Sequence, residues 1–273
     1  MSIEELKFVK KFQEICLAGY DQNWHERNGG NLTYRLTDAE VDSAKASFSP
    51  REWVEMDVEN NTLAGEYFMS TASGAHMRNM VTDLKHSAGI VEINDEGNAY
   101  RIVWGLEDGV RPTSEFPSHY LNHCVRAKET DGASRVIYHA HPGNVVALSA
   151  YLPCDAKEFT YALWQVMTEC VVIFPEGVGV LPWMMPGGAE IAIATSELMH
   201  DFKSVVWYQH GIFCAGNTLD DAFGEMHTIE KAAEIYIKQV MLCGGKEFTN
   251  TISSEHLQEI ADVFGVTIRK EFL

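Results

Sequence analysis

The segment Arg135-Val-Ile-Tyr-His-Ala-His-Pro142 combines a buried strand with two histidines. Its β-branched and aromatic residues are typical of a strand inside a core. Because side chains alternate between the two faces of a strand, His139 and His141 project to the same side, with Cα atoms about 6–7 Å apart. Pro142 cannot donate to a sheet ladder, so we expect the strand to end there and the histidine pair to lie at the rim of a sheet.

A histidine pair with this spacing can bind one metal ion, or it can be two hydrogen-bonded histidines of the core. His210 favours the metal, because it follows a second strand-like run, Ser204–Tyr208, and precedes a glycine. Two strands that each end in histidine offer three imidazole ligands, which suits a zinc ion with one open coordination position. The sequence therefore predicts a zinc site formed by His139, His141 and His210.

The composition limits the kinds of partner that this protein can have. Its 273 residues are 46% hydrophobic and 22% charged, which is typical of a soluble globular protein. The formal net charge of −18 argues against binding to nucleic acid or to anionic membranes. Any phosphate group on a substrate must then be held locally, by amides, hydroxyls or a metal.

The lack of a visible targeting signal and the pattern of cysteines favour the cytoplasm. No basic region followed by an apolar run opens the sequence, and no apolar run reaches the ~20 residues of a membrane span. The six cysteines form no C-x-x-C pair and lie in or beside apolar stretches. We expect them to be buried free thiols in a reducing compartment.

Hydrophobic periodicity predicts strands and helices that alternate along the chain. We expect an amphipathic helix over residues 3–18 that ends at Gly19, an irregular insertion with short strands over 37–66, and a buried strand over Cys170–Phe174. Further predicted strands cover 31–36, 89–93 and 99–104, and further helices cover 118–127, 143–151, 156–168, 188–200, 219–242 and 255–264. Several neighbouring strands are joined as hairpins, and no linker or repeat is visible. Residues 1–273 are therefore predicted to form a single α/β domain, in which helices cover both faces of a mixed, mostly antiparallel sheet.

Three polar turns offer small side chains and backbone N–H groups. They are Asn28-Gly29-Gly30-Asn31, Thr71-Ala72-Ser73-Gly74 and Thr113-Ser114-Glu115. Such turns can bind a phosphate without cations, as the acidic composition requires. Each of them taken alone is more typical of an ordinary turn between two elements, without a binding function.

In their order along the chain, these motifs resemble the zinc-dependent class II sugar-phosphate aldolases. The resemblance covers essentially the whole chain. Besides the histidines and the turns, it includes Thr168-Glu-Cys170, Phe174-Pro-Glu-Gly-Val-Gly179 and Gln209-His-Gly211. The sequence departs from the family at Ala72, where relatives often have glycine, and at Ala75-His76, where a basic residue is common.

The resemblance implies a role for each group. His139, His141 and His210 would bind Zn²⁺, and Glu115 would be the catalytic carboxylate beside the metal. Glu169 resembles a second acid/base group, which in the family acts across a subunit boundary. The residues that resemble the phosphate-binding set are Asn28, Gly29, Asn31, Ser73, Gly74, Thr113 and Ser114. Without the family, Glu115 is interpreted as a first-turn glutamate at a helix N-terminus, and Glu169 as an exposed helix-terminal carboxylate.

The implied protein is a cytoplasmic lyase and a homotetramer with active sites at its subunit interfaces. It would cleave a small sugar phosphate reversibly to dihydroxyacetone phosphate and L-lactaldehyde, and would bind neither nucleic acid nor a membrane. One alternative is an aldolase or 4-epimerase of the same superfamily that acts on fuculose or ribulose phosphate. Another is a non-catalytic binding module like the adducin head domain, although the intact histidines and Glu115 argue against it. Nothing in the sequence selects a third alternative, a zinc hydrolase.

Overall fold

The computed structural model describes residues 2–246 and 248–273. The helices are α1 (Lys7–Asp21), α2 (Asp38–Ala44), α3 (Leu84–Ser87), α4 (Phe116–Glu129), α5 (Gly143–Tyr151), α6 (Ala156–Trp164), α7 (Glu169–Ile173), α8 (Ala189–Leu198), α9 (Leu219–Cys243) and α10 (Ser254–Phe264). The strands are β1 (Asn31–Arg35), β2 (Val54–Glu55), β3 (Tyr67–Thr71), β4 (Ala88–Ile93), β5 (Ala99–Gly105), β6 (Val136–Ala140), β7 (Gly179–Leu181), β8 (Ser204–Trp207) and β9 (Gly211–Gly216). None of the helices in these two ranges is both long and apolar enough to cross a bilayer.

The strands of the described ranges form one sheet in the order β2-β5-β4-β3-β1-β6-β9-β8-β7. β7 and β8 run parallel, whereas the other neighbours are antiparallel. At the centre, β1 pairs with β6 so that Asn31 lies opposite His139 and Thr33 opposite Ile137. The predicted fold class, an α/β domain with a mixed and mostly antiparallel sheet, is confirmed.

Helices cover both faces of the sheet. Neighbouring residues of each strand point to opposite sides, so both faces carry apolar side chains that pack against helices. Tyr138 of β6 belongs to a core that it shares with α1, α5, α6 and α9. The adjacent Ile137 belongs to a second core, which contains Val125 of α4 and Ile191 of α8. Phe68 extends the apolar packing beneath α4 towards β3, β4 and β5. The candidate site is built on the α4 side of the sheet.

Helix α1 differs from its predicted limits at both ends. A short 3₁₀ turn precedes it, and the helix continues through Gly19 to Asp21. A β-carbon at Gly19 would lie 1.9 Å from the Tyr138 hydroxyl and 2.7 Å from Nε2 of His25. The glycine is therefore required for close packing of the helix on the sheet, and the expectation that it ends the helix was wrong.

One predicted element was wrong in type, and another was only partly right. The region 37–66 has an expected short strand, β2, but it also contains helix α2, which begins with a capping box between Thr37 and Glu40. The predicted strand Cys170–Phe174 is instead the short helix α7, in which Cys170 and Val171 are buried and Glu169 is the exposed first residue. A short apolar run does not distinguish a buried strand from a buried helix, because both place their apolar residues inside.

The cysteines are all free thiols, but they are not all buried. Cys16, Cys124, Cys170 and Cys214 lie in the core, whereas Cys154 is exposed and Cys243 is partly exposed. The expectation of six buried thiols therefore holds for four of them.

Replacing Gly19 with alanine should destabilise the protein. The added methyl would displace Tyr138 or His25, and overpacking of this kind costs about 1–3 kcal/mol. Gly224 of α9 provides a matched control, since outside its own stretch of helix no described residue has an atom within 4 Å of a β-carbon built there. Gly224→Ala should raise the free energy of unfolding by about 0.5–1 kcal/mol, because alanine favours the helix. Urea unfolding at one fixed protein concentration measures both variants, and a Gly19→Ala protein as stable as the parent would contradict the packing argument.

Candidate active site

The three predicted histidines come together at one end of the sheet. His139 lies near the end of β6, His141 follows that strand, and His210 lies in the turn that joins β8 to β9. Their ring centroids are 5.1 Å apart for His139–His141, 5.1 Å for His139–His210 and 4.9 Å for His141–His210. One ligand atom from each histidine lies within 4.8 Å of the others.

The β8–β9 turn presents His210 through an unusual backbone conformation. Gln209 has a φ of 53°, in the left-handed region that residues other than glycine seldom adopt. Its N–H donates to the Ser149 hydroxyl at 3.0 Å. On the other side of His210, a β-carbon at Gly211 would lie 2.3 Å from the carbonyl oxygen of Ala140. Only glycine lets this turn approach β6 closely enough for His210 to reach the other two rings.

The hydrogen bonds leave one nitrogen of His139 and one of His141 free. Nδ1 of His139 donates to the Ile212 carbonyl at 3.0 Å, and Nδ1 of His141 donates to Oε1 of Glu26 at 2.8 Å. Within the described ranges, Nε2 of each of these two histidines is buried without a hydrogen-bond partner. Burial lowers the pKa of His139 far below the ordinary histidine value and lowers the pKa of His210 to about 4. Neutral rings with free lone pairs are the form in which histidine binds a metal.

This donor set fits a metal ion. A buried nitrogen without a partner costs free energy, and a metal ion would satisfy the orphaned atoms of His139 and His141 together with His210. Metal-binding histidines usually donate their second nitrogen to a carbonyl or a carboxylate, as His139 and His141 do here. The cluster is therefore a candidate three-histidine metal site.

Glu115 lies beside the histidine cluster. It is the N-cap residue of α4, and only 8% of its surface is exposed. Its Oε2 accepts a hydrogen bond from Nδ2 of Asn31 at 2.7 Å and lies 3.6 Å from Nε2 of His139. Burial raises the pKa of Glu115, and the Asn31 hydrogen bond opposes that effect. The structure thus places a carboxylate next to the free nitrogen of His139.

The second and third polar turns lie against each other. The Ser73 N–H donates to the Arg111 carbonyl at 2.9 Å, and Ala72 forms a β-bridge with Pro112. Ser73, Gly74 and Ser114 are exposed, whereas Thr113 is buried. These predicted phosphate-binding residues therefore form one group.

The first turn joins this group to the histidines. A β-carbon at Gly29 would lie 3.0 Å from Cε1 of His141, so the turn lies directly against the cluster. The Leu32 N–H donates to the Thr71 hydroxyl at 3.2 Å, which connects the start of β1 to the second turn. Asn28 is exposed at the tip of the turn.

Asn31 differs from the other residues of the predicted phosphate set. It is buried, with 7% of its surface exposed, and its amide nitrogen is bonded to Glu115. Its amide oxygen is hydrogen-bonded to Nε2 of His119 on α4. Both ends of the amide are therefore engaged inside the protein rather than at the exposed turns.

Glu169 is not part of this cluster within one chain. It is exposed at the start of α7, a helix that contacts α6, α9 and α10. Among the described residues, no hydrogen bond or ion pair joins it to Glu115 or to the three histidines. Its role across a subunit boundary stays a prediction.

Sequence reasoning missed the histidine that supports the first turn. His25 is buried, its Nδ1 donates to the Gly29 carbonyl at 3.0 Å, and its Nε2 accepts from the Tyr138 hydroxyl at 2.7 Å. Burial lowers its pKa to about 4, so the ring is neutral at neutral pH. The position of His25 just before the Asn28-Gly29-Gly30 turn was the available signal.

The chain belongs to the family of class II aldolases and adducins. The sequence model of that family, described as Class II Aldolase and Adducin N-terminal domain, matches residues 10–237.

Two relatives and one solved structure refine this assignment. The chain is 45% identical over 260 residues to a protein of Mannheimia succiniciproducens named rhamnulose-1-phosphate aldolase, covering 93% of this chain and 94% of the relative. It is 41% identical over 267 residues to the protein of that name from Escherichia coli O157:H7, covering 97% and 96%. A sugar-phosphate aldolase from Thermotoga maritima superimposes with a TM-score of 0.74 at 25% identity, covering 88% of this chain and 97% of that one.

Replacing Glu26 with glutamine should weaken metal binding. Glu26 is the carboxylate that accepts from Nδ1 of His141. Glutamine can still accept this hydrogen bond but lacks the negative charge, and mutation of such a partner typically costs about 10- to 100-fold in metal affinity. Glu129→Gln is the matched control, because Glu129 accepts from Nδ1 of His200 at the same 2.8 Å on an exposed surface. Titration of metal-free protein with Zn²⁺ and Co²⁺ measures both affinities. Equal affinities for the two variants would show that Glu26 does not support the metal ligand.

Proposed function

We propose that this protein is an aldehyde-lyase that cleaves L-rhamnulose 1-phosphate reversibly to dihydroxyacetone phosphate and L-lactaldehyde. The observation that carries the proposal is the buried carboxylate of Glu115, which lies 3.6 Å from a cluster of three histidines that fits a metal. The choice of substrate rests on the relatives named rhamnulose-1-phosphate aldolase, which are 41–45% identical over nearly the whole chain.

The ion that we propose for the three histidines is Zn²⁺. Three neutral imidazoles with one open coordination position are typical of catalytic zinc. When bound, the ion would offset the negative charge that develops on the ketone oxygen as the carbon–carbon bond breaks. Its affinity would depend on the Nδ1–H groups of His139 and His141, which donate to the Ile212 carbonyl and to Glu26 and leave Nε2 free.

In this proposal Glu115 moves a proton at the carbon next to the ketone. Cleavage leaves an electron pair on that carbon of dihydroxyacetone phosphate, and a carboxylate within reach can return a proton to it. In the synthetic direction the same carboxylate removes that proton. Glu115 suits this role because it is buried beside His139, and Asn31 bonds one of its oxygens.

The phosphate group would bind at the polar turns. The residues that we propose are Asn28, Gly29, Ser73, Gly74, Thr113 and Ser114. Support comes from Gly29, which lies against His141, and from the contacts between the second and third turns. They offer backbone N–H groups and hydroxyls, as the net charge of −18 led us to expect. We do not include the Asn31 side chain, since it is bonded to Glu115 and His119.

We further propose that the protein is a cytoplasmic homotetramer in which residues 1–273 form one domain. Glu169 of a neighbouring subunit would then manage the proton on the aldehyde oxygen. Its exposure at the start of α7 leaves it available to a neighbour. The free thiols support a reducing compartment.

Comparison of substrates tests the proposed function directly. Purified protein loaded with Zn²⁺ should release dihydroxyacetone phosphate from L-rhamnulose 1-phosphate faster than from L-fuculose 1-phosphate or fructose 1-phosphate. A coupled enzymatic assay follows the release, and removal of the metal should abolish it. Faster cleavage of fuculose 1-phosphate would change the assigned substrate, and the absence of cleavage with every sugar phosphate would refute the aldolase assignment.

Glu115→Gln should retain the metal and lose catalysis. Glutamine keeps the size but cannot act as a base, and losing a general acid–base group typically lowers kcat by roughly 10²–10⁴. Proton exchange on dihydroxyacetone phosphate, followed by NMR in D₂O, should fall in parallel. Glu92→Gln is a control, because this partly buried carboxylate bonds Tyr67 and Arg101 instead. Exchange at the parental rate in Glu115→Gln would exclude Glu115 as the base and make Glu169 the next candidate.

A further inference from the structure

Behind Glu115, side chains from helix α4 and strand β1 alternate in one continuous row. Glu115, His119 and His123 follow one another at intervals of four residues, whereas Asn31 and Thr33 are two residues apart on the strand. Four residues of helix rise ~6.0 Å and two residues of strand rise ~6.6 Å, so the two series stay in step. Each strand residue therefore lies between two residues of the helix.

Hydrogen bonds join this row without a gap. Asn31 Nδ2 bonds Oε2 of Glu115 at 2.7 Å, and Asn31 Oδ1 bonds Nε2 of His119. The hydroxyl of Thr33 lies 2.8 Å from Nδ1 of His119 and 2.8 Å from Nε2 of His123. Thr33, His119 and His123 are at most 1% exposed, and Asn31 and Glu115 are also buried. We call these five residues the α4–β1 chain.

An ionised Glu115 fixes the direction of every bond in the α4–β1 chain. A carboxylate can only accept, so Asn31 must turn its NH₂ group towards Glu115 and its oxygen towards His119. Nε2 of His119 must then carry the proton, and its Nδ1 accepts from the Thr33 hydroxyl. The Thr33 oxygen in turn accepts from Nε2–H of His123.

The opposite direction is unfavourable at the Glu115 end. It would place the Asn31 oxygen 2.7 Å from Oε2 of Glu115, with two acceptors in contact. Burial keeps both rings neutral, because it lowers the pKa of His119 to about 3 and the pKa of His123 well below its ordinary value.

We propose that Asn31, His119 and Thr33 are positioning residues, which hold the Glu115 carboxylate in place for proton transfer by keeping the Asn31 amide in one orientation. The inference rests on the proposed role of Glu115 as the base and adds three residues behind it. It also gives Asn31 a function different from the phosphate contact that the sequence predicted. A positioning residue of this kind should affect kcat and leave substrate binding nearly unchanged.

Thr33→Val tests the α4–β1 chain at a residue that does not touch Glu115. Without the hydroxyl, either nitrogen of His119 can carry the proton, and the Asn31 amide group can flip by about 180° so that its oxygen and nitrogen exchange places. We expect kcat to fall by roughly 10- to 100-fold, the size of effect caused by a small misplacement of a catalytic group. KM and the metal content should stay within about twofold of the parent, and Thr33→Ser, which keeps the hydroxyl, should restore most of kcat.

Thr160→Val is the matched control for loss of a buried hydroxyl. Thr160 is fully buried on α6 and accepts from the Val178 N–H at 2.9 Å. Val178 precedes β7, which runs parallel to β8, so this threonine lies at the end of the sheet opposite His210. Thr160→Val should keep the parental kcat even where thermal unfolding shows a loss of stability equal to that of Thr33→Val.

Asn31→Ala separates positioning from phosphate binding and serves as the test should Thr33→Val fail to fold. Positioning predicts a lower kcat, parallel loss of proton exchange on dihydroxyacetone phosphate, and an unchanged KM. A raised KM with the parental kcat would overturn the proposal, and so would Thr33→Val with the parental kcat or Thr33→Ser as impaired as Thr33→Val. The aldolase assignment is tested separately by the parent enzyme, which must cleave sugar phosphate before these comparisons are made.

Discussion

Antiparallel pairing of β1 with β6 at the centre of the sheet is the constraint on which the site depends. It places Asn31 opposite His139, and therefore brings the first polar turn to the same edge as the histidine pair. Strands of alternating direction bring the end of β3 and the β8–β9 turn to that edge as well. A shift of one residue between β1 and β6 would turn Asn31 and Thr33 away from α4, because strand side chains alternate between faces.

Burial at this edge determines the chemistry of the histidines. Burial lowers the pKa of His139 and of His210, and hydrogen bonds from Nδ1 leave Nε2 of His139 and of His141 free. The same burial makes Glu115 harder to ionise, and Asn31 compensates with a hydrogen bond. The low polarity of the surroundings thus favours neutral histidines and makes the hydrogen bond to the Glu115 carboxylate important.

Much of the fold and of the histidine cluster was predictable from local sequence. Alternating and helical hydrophobic patterns predicted the strands, the longer helices and the mixed sheet, because burial enforces these periodicities wherever one face meets a core. The predicted limits of α5, Gly143–Tyr151, are those observed, and α9 ends one residue later than expected, at Cys243. Prediction was wrong where local patterns are ambiguous, as in α7, or where packing overrides local preference, as at Gly19.

The sequence by itself determined which groups are candidates for the chemistry: three histidines after strands, a glutamate at a helix start, and turns without cations. Only the tertiary structure decided which of them act together. It joined the Asn31 side chain to Glu115 and His119 inside the protein, and it placed His25 beneath the first turn. These contacts span up to 113 residues of chain, as between His25 and Tyr138, and depend on strand register and on the alignment of α4 with β1. Such relations are set by packing between distant segments, which no local pattern specifies.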